Sequence, residues 1–277
     1  MSCFVVEGTL ELGNAGDRLE LPRLTGRFLA AAARGDHEQA EQHTGQDESH
    51  VSGKCRSQVS LYGNSPPMRI LALSIVLVVP AFHTSTKPLP PMVHSEVKAR
   101  YWHEGCPVPL SDLRLLTVSY WGFDNQMHHG QLVVNKAAAA PLAIVFRKLY
   151  SMKFAIRHMR LANMYGPPNG RPKDGDITGS FSCRKAVPSP CSGNVSGTHW
   201  SNHAYGLALD LNPVENPYVG CGMTRDKTAL SYLDRSNLRK GMVTPAVVRA
   251  FASVGWGWGG SWTGDTKDYM HFSYNGH

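Results

Sequence analysis

The stretch SNHAYGLALDLNP, residues 201–213, sets a histidine seven residues ahead of an aspartate that lies inside an apolar run. Leu207, Leu209 and Leu211 fall on one face of an alternating strand, and Ala208, Asp210 and Asn212 on the other. A carboxylate in such a setting needs a partner, and a loop ending at Gly206 can fold His203 back over its face. Histidine nitrogen and carboxylate oxygen both bind zinc, and a catalytic zinc takes three protein ligands and keeps one position for water. His271 in DYMHF, residues 268–272, supplies a third ligand. Asp268, three residues before it, stands where a general base for the zinc-bound water belongs. Residues i and i+3 of an ideal strand face opposite ways, so the segment requires a turn or bulge at Asp268. Singly, each residue has a blander reading: a hydrogen-bonded histidine, a turn-capping Asp210, a solvated Asp268 beside Lys267.

These residues need elements to hold them. QLVVN (131–135) alternates as a strand, and APLAIVFRKLYSM (140–152) reads as a helix with Pro141 near its start. AIRHMRLA (155–162), GSFSCR (179–184), LALDLN (207–212) and DYMHFSY (268–274) read as strands. TPAVVRAFASVG (244–255) has Thr at the cap, Pro at the first helical position and Gly past the end, the punctuation of a helix. His128 and His129 resemble a metal pair, but neighbours on a strand point apart, so they are assigned to a turn ahead of QLVV. The mixture predicts an α+β class: a small, mostly antiparallel sheet with flanking helices and the zinc site on the sheet.

The chain has 277 residues and a formal charge of +7, which suits an anionic partner such as nucleic acid or an acidic wall polymer. The basic residues are scattered and no nucleic-acid motif is present, so nucleic acid is set aside as a partner. The six cysteines include no C-x-x-C pair, which argues against a zinc ribbon and fits isolated thiols or one or two disulfides of an exported protein. Cys183 reads as a buried thiol, and Cys191 with Cys221 as a possible bridge between two loops. Residues 1–67 lack periodicity and enough apolar side chains to offset ordering entropy, and read as a disordered extension. MRILALSIVLVVPAF (68–82) resembles the start of a secretory signal; the bland alternative is a short buried helix. A signal must come first, so Met68 is the expected natural start. Residues 83–97 read as a linker, and 98–277 as the catalytic domain.

SNHAYGLALDLNP matches the S-x-H-x-x-G-x-A-x-D signature of the zinc D-alanyl-D-alanine carboxypeptidases, and DYMHF resembles their second signature. The group includes VanY-like carboxypeptidases, the vancomycin-resistance D,D-dipeptidase and L-alanoyl-D-glutamate endolysins. The resemblance extends through CPVPLSDLRLLTVSYWGFD (106–124), FSCR (181–184) and GWGWGG (255–260). It implies that His203, Asp210 and His271 hold Zn2+, that Asp268 is the proton shuttle, and that Arg184 stabilises the oxyanion, with Arg160 as runner-up. It implies Ser201 and Tyr205 as residues that shape and line the cleft. Trp258 is a substrate-binding candidate within WGWGGSW (256–262), whose other readings are a sugar platform or plain packing. A secreted or cell-envelope monomer acting on the peptidoglycan stem peptide within an anionic cell wall is the implied protein. The alternatives are an endopeptidase of the endolysin type and a non-catalytic wall-binding module. In the basic segment 214–242, Arg225, Lys227, Arg235 or Arg239 is expected either to meet a substrate carboxylate or to lie on a solvated loop.

Overall fold

The longest strand, β2 (Leu113–Gly122), organises one side of the molecule. In chain order the elements are β1 (Thr84–Pro88), α1 (Pro91–Arg100), β2, β3 (Met127–Asn135), α2 (Lys136–Ser151), β4 (Ala155–Ile156) and α3 (Leu161–Tyr165). They continue with β5 (Ala208–Asp210), β6 (Tyr218–Gly220), α4 (Pro245–Ala252), β7 (Gly257–Trp258), β8 (Thr266–Asp268) and β9 (His271–Ser273). The computed structural model describes residues 80–192 and 197–277, all within the unit Ala72–His277. The extension 1–67 and most of the signal-like segment 68–82 lie outside the described residues. No helix among the described residues is long and apolar enough to cross a membrane.

β2 pairs antiparallel with β1 and β3 and parallel with the short β4. Alternation along β2 and β3 sends Leu116, Val118, Tyr120, Leu132 and Val134 to one face, where Leu142, Phe146 and Leu149 of α2 bury them. Leu113 and Val133 point to the other face and meet Val97, Val108, Tyr165 and Phe181. The Asn135 side chain caps α2 by accepting from the Ala137 amide at 3.0 Å. The helix begins at Lys136, earlier than its expected start at 140, and Pro141 therefore lies inside it.

A second antiparallel sheet, in the order β5-β9-β7, carries the two sequence motifs. Asp210 faces His271 across β5 and β9, and Leu209 faces Phe272. Leu209, Leu211 and Phe272 bury their side chains in the same core as α2 and α4, with Phe272 stacked on Phe251 at 3.7 Å between ring centres. Thr244 caps α4 and Pro245 opens it, as its sequence indicates. β6 and β8 form a separate ribbon that sets Asp268 opposite Tyr218. The mixture of helices and small, mostly antiparallel sheets is the expected α+β class.

Several local expectations are corrected. Residues 83–97 form β1 and most of α1, not a linker. All five β1 side chains are exposed, so no apolar alternation marks the strand; it is held by its backbone ladder to β2. Only Val97 of α1 is buried. The strand expected at 155–162 stops at Ile156, because the Arg157 amide is taken by the Asn212 side chain at 3.1 Å. His128 and His129 belong to β3 itself, on opposite faces, with His128 bound to the Asp124 carboxylate at 2.9 Å. Residues 179–184 are extended but form no strand. Their amides bond in turn to Asp210, Val133, His203 and Tyr101, so the segment is a strap across several elements.

Because Val97 is fully buried in the second core, Val97→Ala should cost roughly 2 kcal/mol of stability. A chain shortened to begin at residue 98 should lose more, having lost the β1 ladder as well; denaturant unfolding of both measures this.

Candidate metal-binding and catalytic site

His203 lies in a single 3-10 turn, Asn202–Tyr205, opened by Ser201, whose hydroxyl accepts from the His203 amide at 3.3 Å. Gly206 closes the turn with φ at +66°, and a Cβ there would come within 2.7 Å of the Asn135 amide nitrogen. The turn therefore needs glycine for both conformation and space. The strap provides the next contact: the Ser180 carbonyl lies 2.6 Å from His203 Nδ1. A carbonyl only accepts, so Nδ1 carries the ring hydrogen and Nε2 presents a lone pair inward.

His271 is fixed in the same way with its nitrogens exchanged. Its Nε2 faces the His277 main-chain oxygen at 3.1 Å, which leaves Nδ1 bare on the inner side. The β5–β9 register then brings Asp210 between the rings: Oδ2 is 3.1 Å from His203 Nε2, and Oδ1 is 3.3 Å from His271 Nδ1. The two inner nitrogens are 3.2 Å apart. With both ring hydrogens directed outward, all the converging atoms are electron-pair donors. Such a cluster calls for a cation at its centre, and nitrogen, nitrogen and carboxylate oxygen form a donor set for zinc. A second group, His103 with Cys106 and Cys183, also converges, but its sulfurs are joined as a disulfide and offer no thiolate.

Burial opposes ionisation of Asp210, yet the neighbouring His203 and His271 more than offset it and hold its carboxyl below the usual carboxylate range. For His271 burial favours the neutral ring, and the Asp210 carboxylate outweighs it and raises the imidazole. Asp268 is driven the other way: burial, then the negative charge of Asp210, push it up to about 7, against the pull of His271 and Arg184. Its Oδ1 is buried and has no hydrogen-bond partner among the described residues. The chain bends at Tyr269 and Met270, between β8 and β9; Asp268 itself ends β8, so the break expected at Asp268 falls just after it. Gly259 makes room for this strand end, since a Cβ there would meet the Asp268 carbonyl oxygen at 2.5 Å.

Arg184 follows the strap. Its carbonyl accepts from the Ser201 amide at 3.1 Å, beside the His203 turn, and its charge acts on Asp268. Cys183 just before it is bonded to Cys106, with 6.0 Å between Cα atoms, which corrects the reading of Cys183 as a free thiol. A buried apolar setting suits a disulfide as well as a thiol, and sequence offers no way to separate the two. Cys191 and Cys221 are also bonded, joining the loop ahead of His203 to the end of β6. Arg160 is not brought to the site; it lines a separate cavity with Tyr120, Asp124 and Arg157. Tyr205 gives its carbonyl to the Asn135 side chain. Trp258 packs on Phe272 and donates its indole N–H to the Tyr269 carbonyl at 2.9 Å, so packing accounts for it.

Within WGWGGSW it is Trp262, not the Trp258 singled out from the sequence, that lies against His271. The Trp262 ring lies 5.9 Å from His271 and meets Tyr218 edge-on at 6.5 Å. The Ser180 carbonyl was invisible in the sequence, because main-chain acceptors leave no residue-type signal. In the basic segment, Arg225 donates to the Pro188 and Ser189 carbonyls, and Arg235 to those of Glu215 and Val243. Arg239 lies over the Tyr232 ring and donates to the Ser231 carbonyl. These arginines brace loops.

In the metal-free protein the His271 imidazole should titrate above its usual value. Asp210→Asn should lower it, as burial then acts with its main opponent removed. The stabilisation from this pair should be complete below the unfolded imidazole value and lost as pH rises through the folded one. Imidazole proton NMR of the two proteins measures the shift.

No curated protein and no solved structure matches this chain. A family model described as D-alanyl-D-alanine carboxypeptidase matches residues 194–274. The match contains His203, Asp210, Asp268 and His271, and leaves Arg184 and the stretch 106–124 outside. Over this segment the chain is similar to the D-alanyl-D-alanine carboxypeptidases.

Proposed function

We propose that the chain is an exported zinc metallopeptidase that hydrolyses peptidoglycan stem peptides, as a D-alanyl-D-alanine carboxypeptidase. The observation that carries this reading is the cluster of His203 Nε2, His271 Nδ1 and Asp210, all electron-pair donors within 3.1–3.3 Å of one another. The unpartnered Asp268 oxygen supports it, as does the family match. The two disulfides support export to an oxidising compartment.

In this reading His203, Asp210 and His271 hold the ion. Zinc when bound supplies Lewis acidity, making water a nucleophile near neutral pH and polarising the scissile carbonyl. Asp268 accepts a proton from the attacking water and passes it to the departing amine. A carboxyl raised towards neutrality suits a group that must both take and release that proton. Arg184 presents positive charge to the carbonyl oxygen as negative charge develops there. The Cys106–Cys183 disulfide and the bond from Ser201 hold its backbone in place.

One observation favours the endopeptidase alternative, a cut after L-Ala. A carboxypeptidase needs donors for the substrate's terminal carboxylate, and Arg225, Arg235 and Arg239 are engaged with main-chain oxygens.

Metal analysis should find about one zinc per chain, lost in His203→Ala. Asp268→Ala should keep the metal and lose turnover by roughly 100-fold or more, because a proton carrier is removed and no ligand is. Full activity of that variant would overturn the assigned role.

A pentapeptide stem offered with a free or an amidated C-terminus separates the substrate readings. Release of D-Ala from the free form alone is the expected result. Equal cleavage of both forms, or a cut after L-Ala, would establish the endopeptidase instead.

A further inference from the structure

Along α2 and α4 runs a groove of about 470 Å3 that shares no residue with the metal-ligand cluster. Arg147, Lys148 and Arg249 line it, together with Met152, Ala246 and Ala250. All three cations are exposed, and none is in an ion pair among the described residues. Arg147 lies over the Phe82 ring at 5.0 Å, and Lys148 donates to the Ser253 hydroxyl at 2.6 Å. Three cations elsewhere are in ion pairs: Arg100 with Glu96, Lys136 with Asp112, and Arg157 with Asp176 and Glu215. The lack of counter-charge extends along the chain. There is no acidic residue between Asp124 and Asp174, or between Asp234 and Asp265. Neither helix, nor the chain flanking it, can neutralise the groove from within.

Like charges gathered without a counterion repel, and an anion docked among them removes that cost. Two arginine forks and a lysine point charge suit phosphate oxygens. The small apolar lining suits short alkyl or polyol links between phosphates. Single-stranded nucleic acid binds by stacking its bases on aromatic rings, and no aromatic side chain lines the groove. We propose that this groove binds a phosphodiester-linked wall polyanion, anchoring the protein while its separate cleft works on peptides. The binding stands on the groove alone; its purpose rests on the function proposed above.

The test uses the full chain loaded with zinc and measures binding to poly(glycerol phosphate), poly-glutamate and a single-stranded DNA oligomer at low and moderate salt. Poly(glycerol phosphate) should bind most tightly, and more weakly as salt rises. The combined variant Arg147→Gln, Lys148→Gln, Arg249→Gln should weaken it by roughly tenfold or more, with thermal unfolding and turnover of a soluble stem pentapeptide unchanged. The control variant Lys87→Gln, Lys98→Gln, Lys173→Gln removes the same charge elsewhere and should weaken it less than about twofold. Equal losses in the two variants would reduce the effect to net charge and overturn the proposal. Equal or tighter binding of poly-glutamate or DNA would overturn it as well. Should no form cut the pentapeptide, the peptidase reading fails while the binding comparison still decides the groove.

Discussion

Asp210 stands between two imidazoles whose hydrogens are already donated outward, to the Ser180 carbonyl and the His277 main-chain oxygen. That commitment makes every inner atom an acceptor, and much of the local architecture serves it. The strap 179–184 must cross the site so that Ser180 can reach His203. Gly206 must end the 3-10 turn so that His203 is returned over β5. The β5–β9 ladder must pair residue 210 with residue 271, because a slip of one residue would turn one of these donors into the core. Second-sphere oxygens that choose the tautomer are as much a part of such a site as its ligands.

The other half of the site is placed by different means. Asp268 belongs to the β6–β8 ribbon, not to the ligand sheet, and a two-residue bend carries the chain from one to the other. The carboxyl thus approaches the histidine–aspartate cluster without sharing its sheet, and its buried oxygen has no hydrogen-bond partner among the described residues. Arg184 arrives on the strap, between a disulfide and a hydrogen bond to Ser201. Opposed charges therefore converge from separate elements, each with its own covalent or hydrogen-bonded tether.

What could be read from the sequence follows from what residue types encode. The alternation of residues 207–212 and the punctuation of α4 are properties of side chains and spacing, and the fold bears them out; the break expected at Asp268 comes one residue later. β1 went unread because it has no apolar face; its pairing is purely main-chain. The short β4 and the strap look like ordinary strands in sequence, and only tertiary partners such as Asn212 divert their hydrogen bonds. Cys183 is only half-buried, and its bonding depends on where Cys106 lies, 77 residues earlier. The contact of Trp262 with His271 depends on how the loop between β7 and β8 folds, which periodicity does not specify.

Pairing Asp210 with His271 across one ladder separates distance along the chain from distance in space. Sixty residues lie between Asp210 and His271, yet the two are direct neighbours. The stretch from residue 221 to 244, between β6 and α4, is a connection whose closure cost grows only with the logarithm of its length. Doubling it would add about 0.6 kcal/mol. Its extent is free to change by insertion and deletion while the pairing of Asp210 with His271 stays constant.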